Sequence, residues 1–345
     1  MKLDVALFES DPQAAARRAC ALETWGFDGV FTFDGPHDPF LPLVQVAAAT
    51  ERVALGTAVA IAFARNPMLC AQIAHDLQLA SRGRFVLGLG TQVRAHIERR
   101  YGETWSRPHA RMREFVGAIR AIWRCWNEGE KLDFRGELYT HTLMPPLFNP
   151  GPSAHGPPPI WLAGFGARMV TVVGEVADGW LVHPLNTPRF VAEVALPALH
   201  RGLDAAARER GDCSIVCQTL VMMGANDREI ASARAKARAQ VAFYAATPAY
   251  KPLLDHHGGG GLQPELNRMA KEGRWAEMAE RIGDDVLDAV GVSGRPGEIG
   301  ALLRSRNGFA DRTMVVLYND TDPDAATEIA RSLGRFPVPS SAKPG

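Results

Sequence analysis

Short apolar runs alternate with longer amphipathic stretches along almost the whole chain, and this alternation constrains the fold more than any other feature. The runs cover 3–8, 29–33, 53–59, 85–89, 160–163, 179–182, 215–222 and 313–317. Between them, 14–25, 66–80, 111–126, 167–176, 189–210, 228–244 and 324–333 repeat apolar residues at intervals of three and four, the spacing of a helix packed on one side. Parallel strands need crossover connections, usually helices. The pattern therefore predicts an α/β chain with a parallel sheet, and eight such units suit a closed (β/α)8 TIM barrel. Its first unit is delimited by Asp11 as N-cap, Pro12 at the first helical position and Gly26 as stop.

Two segments break the repeat inside what reads as one barrel domain over 1–335. Residues 131–159 begin as a short hairpin and continue as a Pro- and Gly-rich tract, expected to cover one mouth of the barrel. Residues 247–283 contain His256 and His257 followed by four glycines. That tract suits a mobile lid loop, with simple disorder as the alternative. Residues 336–345, with three prolines, are expected to form an irregular tail.

Composition narrows the partners. Thirty-eight Lys and Arg balance 38 Asp and Glu, leaving no positive field for a nucleic-acid backbone. No stretch reaches the ~18 to 20 apolar residues of a membrane span, and the first ten residues lack a signal-peptide core, so the expectation is a cytoplasmic protein acting on a small molecule. Five cysteines without CxxC spacing read as buried free thiols rather than a disulfide framework or metal site. Apolar outer helices make a homodimer the expected assembly.

Barrel chemistry sits at the carboxyl ends of strands and in the loops that follow. After the second run come Asp34, Gly35, Pro36, His37, Asp38, Pro39 and Phe40, two carboxylates and an imidazole on an irregular path. Asp38 reads mainly as a turn former and helix cap, and Asp34 as a functional carboxylate. His37 is the candidate acid/base, since imidazole exchanges a proton near neutral pH. Small residues around Ala58 and Val59 leave room for a flat ring. Gly90 ends the fourth run, but without a third spaced glycine it makes a poor dinucleotide fingerprint. The turn 163–167 runs straight into a helix whose free N–H groups could hold a phosphate, and His183 with Pro184 ends the sixth run on the same face. Neither HExxH nor GxSxG occurs, and the His256–His257 pair would point apart in extended backbone, so metal and serine-hydrolase sites have little support. Arg111, Glu114 and Arg120 read as a salt-bridged helix face, with Arg111 also a weak anion-binding candidate.

Four segments in this order, 55–67 (LGTAVAIAFARNP), 84–91 (RFVLGLGT), 105–114 and 159–180 (PIWLAGFGARMVTVVGEVADGW), resemble the luciferase-like flavin and deazaflavin oxidoreductase superfamily, and most closely its branch using the deazaflavin coenzyme F-420. The resemblance implies a non-prolyl cis peptide at Ala58–Val59, backing the cofactor ring. It implies cofactor contacts at Asp34, at His96, at the phosphate-side loop Ala163, Gly164, Phe165, Gly166 and Ala167, and at His183 and Pro184. Sugar-phosphate dehydrogenases of the superfamily carry His and Glu where this chain has Gly35 and Val93, which argues against sugar-phosphate oxidation. The implied chemistry is hydride transfer between coenzyme F-420 and a small organic substrate. Three alternatives stand beside it: an FMN-dependent monooxygenase on the same fold, a non-catalytic flavin-binding barrel, and a lyase or isomerase. The last is weakened by the absence of a lysine at a strand end.

Overall fold

Residues buried on both faces of a strand favour a parallel barrel wrapped by helices, and most strand residues here are buried on both faces. The computed structural model describes residues 1–9, 11–318 and 323–334. Its strands are β1 (Lys2–Ala6), β2 (Gly29–Thr32), β3 (Ala54–Thr57), β4 (Ala60–Ile61), β5 (Phe85–Gly90), β6 (Phe134–Arg135), β7 (Thr140–His141), β8 (Ile160–Ala163), β9 (Gly179–Val182), β10 (Ser214–Met223), β11 (Gly291–Gly294) and β12 (Arg312–Leu317). Parallel pairing runs β1-β2-β3-β5-β8-β9-β10-β12 and back to β1, closing an eight-stranded barrel. The predicted (β/α)8 architecture is the observed one, and the predicted bounds of β8 and β9 match residue for residue.

The helices are α1 (Pro12–Thr24), α2 (Phe40–Ala49), α3 (Pro67–Ala80), α4 (Arg94–Arg99), α5 (Pro108–Glu128), α6 (Ala167–Val176), α7 (Pro188–Phe190), α8 (Leu196–Ala205), α9 (Asp227–Ala245), α10 (Lys251–His256), α11 (Leu262–Lys271), α12 (Trp275–Met278), α13 (Asp284–Val290), α14 (Pro296–Arg306) and α15 (Pro323–Ser332). Asp11 caps α1 through its carboxylate, which accepts from the N–H groups of Gln13 and Ala14. The stretch 189–210, predicted as one helix, is divided: α7 passes through a π-turn at Val191–Ala195 into α8. Pro197 lacks the N–H that an unbroken helix would use there. No helix among the described residues is long and apolar enough to cross a membrane.

Burial of apolar surface between barrel and helices is the main driving force. Inside the barrel, Phe31, Val86, Trp161, Leu181, Val216 and Met314 fill the interior. At the amino-terminal end Arg312 Nε donates to Asp4 Oδ2 at 2.7 Å and the guanidinium lies 5.6 Å from the Trp161 ring centroid. Burial raises the pKa of the Asp4 carboxyl against the pull of Arg312. Cys70, Cys125, Cys213 and Cys217 are buried free thiols, and Cys20 is half-buried.

The β6–β7 hairpin lies against α5, where Glu114 accepts from the N–H groups of Leu138 (2.8 Å) and Tyr139 (3.1 Å). The segment 247–283 is not a mobile loop but a set of short helices, α10 to α12. Leu253, Leu254, Leu266, Met269, Met278 and Ile282 recur at helical spacing and are buried against Ala233, Ala237 and Val241 of α9. Its four glycines merely turn the chain between α10 and α11. His256 and His257, rather than standing free, hydrogen-bond to Glu193 (2.9 Å) and Thr187 (2.6 Å) and fasten α10 to the α7 region. A short strand the sequence reading missed, β11, follows α13 and pairs with the outer half of β10, from Leu220 to Met223. The predicted tail at 336–345 lies outside the described residues.

Candidate active site at the carboxyl-end mouth

The β3–β5 ladder stops after Gly56↔Val86 and resumes as Ala60↔Leu89. Three residues on one side then face two on the other, so the chain must bulge. The Ala58–Val59 peptide in this bulge is cis. Two groups of the β2 strand end clamp it: the Thr32 carbonyl accepts from Ala58 N–H at 2.6 Å, and Asp34 N–H donates to the Val59 carbonyl at 2.9 Å. On the other flank the Thr57 hydroxyl donates to the Gly88 carbonyl (2.6 Å) and accepts from Gly88 N–H (3.0 Å), replacing missing ladder bonds.

Side chains at this level are small. A Cβ at Gly90 would stand 2.7 Å from Val59 Cγ2 and 3.6 Å from Ala163 Cβ, so Gly90, Val59 and Ala163 meet, and only glycine permits that approach. Ala58, Val59 and Ala163 pack on the interior cluster and remain partly open on their outer side. Four predicted cofactor residues thus come together as one low floor at the mouth.

Asp34 sits at the edge of this floor with 7% of its side chain exposed. Its carboxylate accepts from Ile61 N–H at 2.9 Å, is paired with Arg65, and is approached by the Tyr101 hydroxyl at 3.5 Å. Arg65 also reaches Asp38 at 3.1 Å, while Asp38 Oδ1 accepts from Phe40 N–H at 2.8 Å. Asp38 is therefore a turn former, as the sequence reading favoured, but not the cap of α2, whose N-cap position is Pro39 without a side-chain cap bond, and Asp34 is the anchor of the bulge. His37 is exposed on the loop between them, and His96 is half-buried on α4. Arg111, the weak anion candidate, is engaged with Tyr139 (2.7 Å) and the Thr104 carbonyl (2.7 Å).

Opposite, Gly164, Gly166 and Ala167 turn β8 into α6. A Cβ built on Gly166 meets nothing within 4 Å, so the helix start, whose first N–H groups lack intrahelical acceptors, opens on free space. Phe165 leaves this turn for an aromatic wall, stacking on Phe190 (5.5 Å) and meeting Tyr250 edge-on (4.7 Å). His183 stands in the same wall, 4.4 Å from Tyr250 and 4.8 Å from Tyr244 between ring centroids, with Pro184 buried behind it. Desolvation lowers the pKa of His183 to about 3, so its imidazole is neutral at ordinary pH.

Tyr244 and Tyr250 escaped the sequence reading. Tyr250 belongs to the segment taken as a loop, where it closes the short helical turn Pro248–Tyr250, and a single aromatic after Thr-Pro-Ala carries no signal of its own. Small floor, anchored edge and open helix start together fit a flat ring with an anionic tail.

Residues 5–312 match the luciferase-like monooxygenase family. An uncharacterised protein of Mycobacterium tuberculosis is 48% identical over 88% of this chain and 89% of its own length. A second protein of that organism, named for coenzyme F-420-dependent oxidoreduction, is 31% identical over 82% of this chain and 84% of its own. Among solved structures, the coenzyme F-420-dependent tetrahydromethanopterin reductase of Methanopyrus kandleri superposes with a TM-score of 0.77 at 20% identity, covering 95% of this chain and 96% of the other. With the family matched over nearly the whole barrel and a relative this close, the chain belongs to the luciferase-like monooxygenase family.

Proposed function

We propose that this protein is an oxidoreductase that uses coenzyme F-420 for hydride transfer to or from a small organic substrate. The observation that carries the reading is the flat floor of Ala58, Val59, Gly90 and Ala163, held by the hydrogen bonds that Thr32 and Asp34 make to the bulge. The relative named for coenzyme F-420-dependent oxidoreduction supports the choice of deazaflavin over FMN.

When bound, the deazaflavin supplies a two-electron hydride carrier. The chain's own residues do the rest. Ala58 and Val59 back the ring, with Gly90 and Ala163 beside them. Asp34 acts through Ile61 and Arg65 to fix the bulge. The start of α6 and the glycines before it receive the anionic tail, while His183 and Pro184 line its path and His96 borders the ring's far side. His37, exposed on the Asp34 loop, carries the proton exchanged with substrate. The aromatic wall of Phe165, Tyr244 and Tyr250 keeps water from the reacting face. The working protein is a cytoplasmic homodimer: α2 carries no charged residue and exposes Leu41 and Val44, next to exposed Leu69 on α3.

Paired titrations with oxidised coenzyme F-420 and with FMN, read by quenching of tryptophan emission, test the proposal, because Trp161 belongs to the interior cluster on which Ala58, Val59 and Ala163 pack and Trp180 Nε1 donates to the Gly164 carbonyl at 2.9 Å. Saturable binding that favours the deazaflavin is expected. Preference for FMN would move the assignment to oxygen-dependent monooxygenation, and binding of neither would refute it. Light scattering reads the dimer.

A further inference from the structure

The hydrogen bonds of the aromatic wall leave one donor over. Nδ1 of His183 lies 3.1 Å from the N–H of Leu185, so this nitrogen presents a lone pair. A neutral imidazole has one N–H, which must therefore be on Nε2, 3.0 Å from the Tyr250 hydroxyl oxygen. Tyr250 is thereby the acceptor in that bond, and its own hydrogen is not used on His183. No other described residue accepts from the Tyr250 hydroxyl, although burial and neighbouring Tyr244 push its pKa upward and keep it protonated. An enclosed O–H without an acceptor costs about 1–3 kcal/mol, and this one stands in the wall of the mouth where barrels bind their ligands.

The surroundings define what the donor would accept. Its neighbours are the rings of Phe165, His183 and Tyr244, and no charged side chain perturbs Tyr250 or His183. At the Tyr250 hydroxyl itself, away from the N–H groups of the α6 start that receive the anionic tail, a phosphate or carboxylate would lie among rings without a counter-charge. A neutral oxygen with free lone pairs, on an otherwise apolar molecule, fits the ring-lined space.

We propose that Tyr250 is the residue that receives the carbonyl oxygen of the substrate, so that the substrate class is an apolar ketone or aldehyde and its alcohol. This rests on the oxidoreductase reading above. His183 is a positioning residue: its Nε2–H fixes the hydroxyl oxygen so that the remaining hydrogen points away from the imidazole. Donation to the carbonyl oxygen draws electrons from the carbonyl carbon, the atom that takes a hydride during reduction; the C=O π pair then passes to the oxygen, which becomes the alcohol O–H with the proton assigned above to His37, while Tyr250 keeps its own hydrogen.

Acetophenone and its oxygen-free counterpart ethylbenzene are the probes, titrated into the full-length protein with and without saturating oxidised coenzyme F-420. Wild type is expected to prefer the ketone, and the infrared carbonyl band of bound acetophenone to shift to lower frequency. Y250F should lose about three- to tenfold in ketone affinity, leave ethylbenzene unchanged and abolish the band shift, while coenzyme affinity stays within twofold. An unshifted band in wild type, no ketone preference, or equal ketone affinity in Y250F each overturns the proposal, the first two without any variant. If Y250F instead weakens coenzyme binding and keeps the ketone preference, the donor serves a coenzyme oxygen and the substrate assignment falls. Failure of wild type to bind any deazaflavin would defeat the oxidoreductase reading alone, because the ketone comparison without coenzyme stands separately.

Discussion

Replacing Gly88 by alanine is expected to unseat the bulge that forms the floor of the site. A Cβ there would stand 1.7 Å from the Thr57 carbonyl oxygen and 2.8 Å from its carbon, inside the 3.0 Å at which real Cβ contacts end. The obstacle is backbone, so no side chain can rotate out of the way. Relief requires β3 and β5 to part by more than an ångström, which lengthens both bonds between the Thr57 hydroxyl and Gly88. Two buried hydrogen bonds at about 1 kcal/mol each, with overpacking of about 1–3 kcal/mol, give a loss of about 3–5 kcal/mol. Urea denaturation followed by tryptophan emission measures it, and the same protein titrated with coenzyme F-420 should bind more weakly. Gly211→Ala, on an exposed turn where an added Cβ meets nothing within 4 Å, should change stability by under about 0.5 kcal/mol. Should G88A remain within about 1 kcal/mol of wild type, the reasoning that the strand pair cannot open here is wrong.

Three further outcomes are expected. D34N keeps the shape of Asp34 but offers Ile61 N–H and Arg65 a weaker acceptor; thermal unfolding should show a loss of about 1–3 kcal/mol and coenzyme titration a weaker complex, whereas unaltered binding would mean the bulge needs no anchor. His183 has its pKa lowered by burial from 6.5 to about 3, so the unfolded chain takes up its proton first as pH falls. Its stabilising contribution is complete above pH 6.5 and is lost toward pH 3, at about 1.4 kcal/mol per pH unit; denaturation curves at pH 6.5 and 5 should show a slope flatter by that amount in H183N, and identical slopes would contradict it. R312A strips the counter-charge from Asp4, whose side chain is 0% exposed, and should lose about 3–5 kcal/mol. A D4L/R312M double variant should recover most of it in the same assay, and failure to do so would show the pair matters for more than neutralisation.

The barrel was legible because its strands and helices each declare a period. Runs such as 160–163 and 179–182, bounded by proline or an Asp-Gly turn, left little freedom in where a strand begins. β11 was not, since Gly-Val-Ser-Gly offers one apolar residue and gains its strand character only from pairing with the upper end of β10. The helical insert was misread because the four glycines drew the eye while Leu253, Leu254, Leu266 and Met269 already carried a helical period on either side. The cis peptide at Ala58–Val59 was reached only through family resemblance; nothing in the local residue types demands it. Asp34 was legible as a special carboxylate, but its three partners come from 61, 65 and 101, a convergence that only the closed barrel creates. Tyr250 and Tyr244 were out of reach for the same reason: their meaning lies in His183, more than sixty residues earlier.

β10 is longer than its neighbour β9, and the surplus length holds β11. The insert that carries Tyr250 therefore begins on a helix packed against β10 and ends in a strand welded to it, with His256 and His257 as two further latches. Its carboxyl end is thus tied to the barrel by a β-ladder from Leu220 to Met223. A protein built this way changes what it accepts by changing the side chains its wall presents, and a library randomised on the inner faces of 244–254 would alter selectivity without first having to rebuild a hinge.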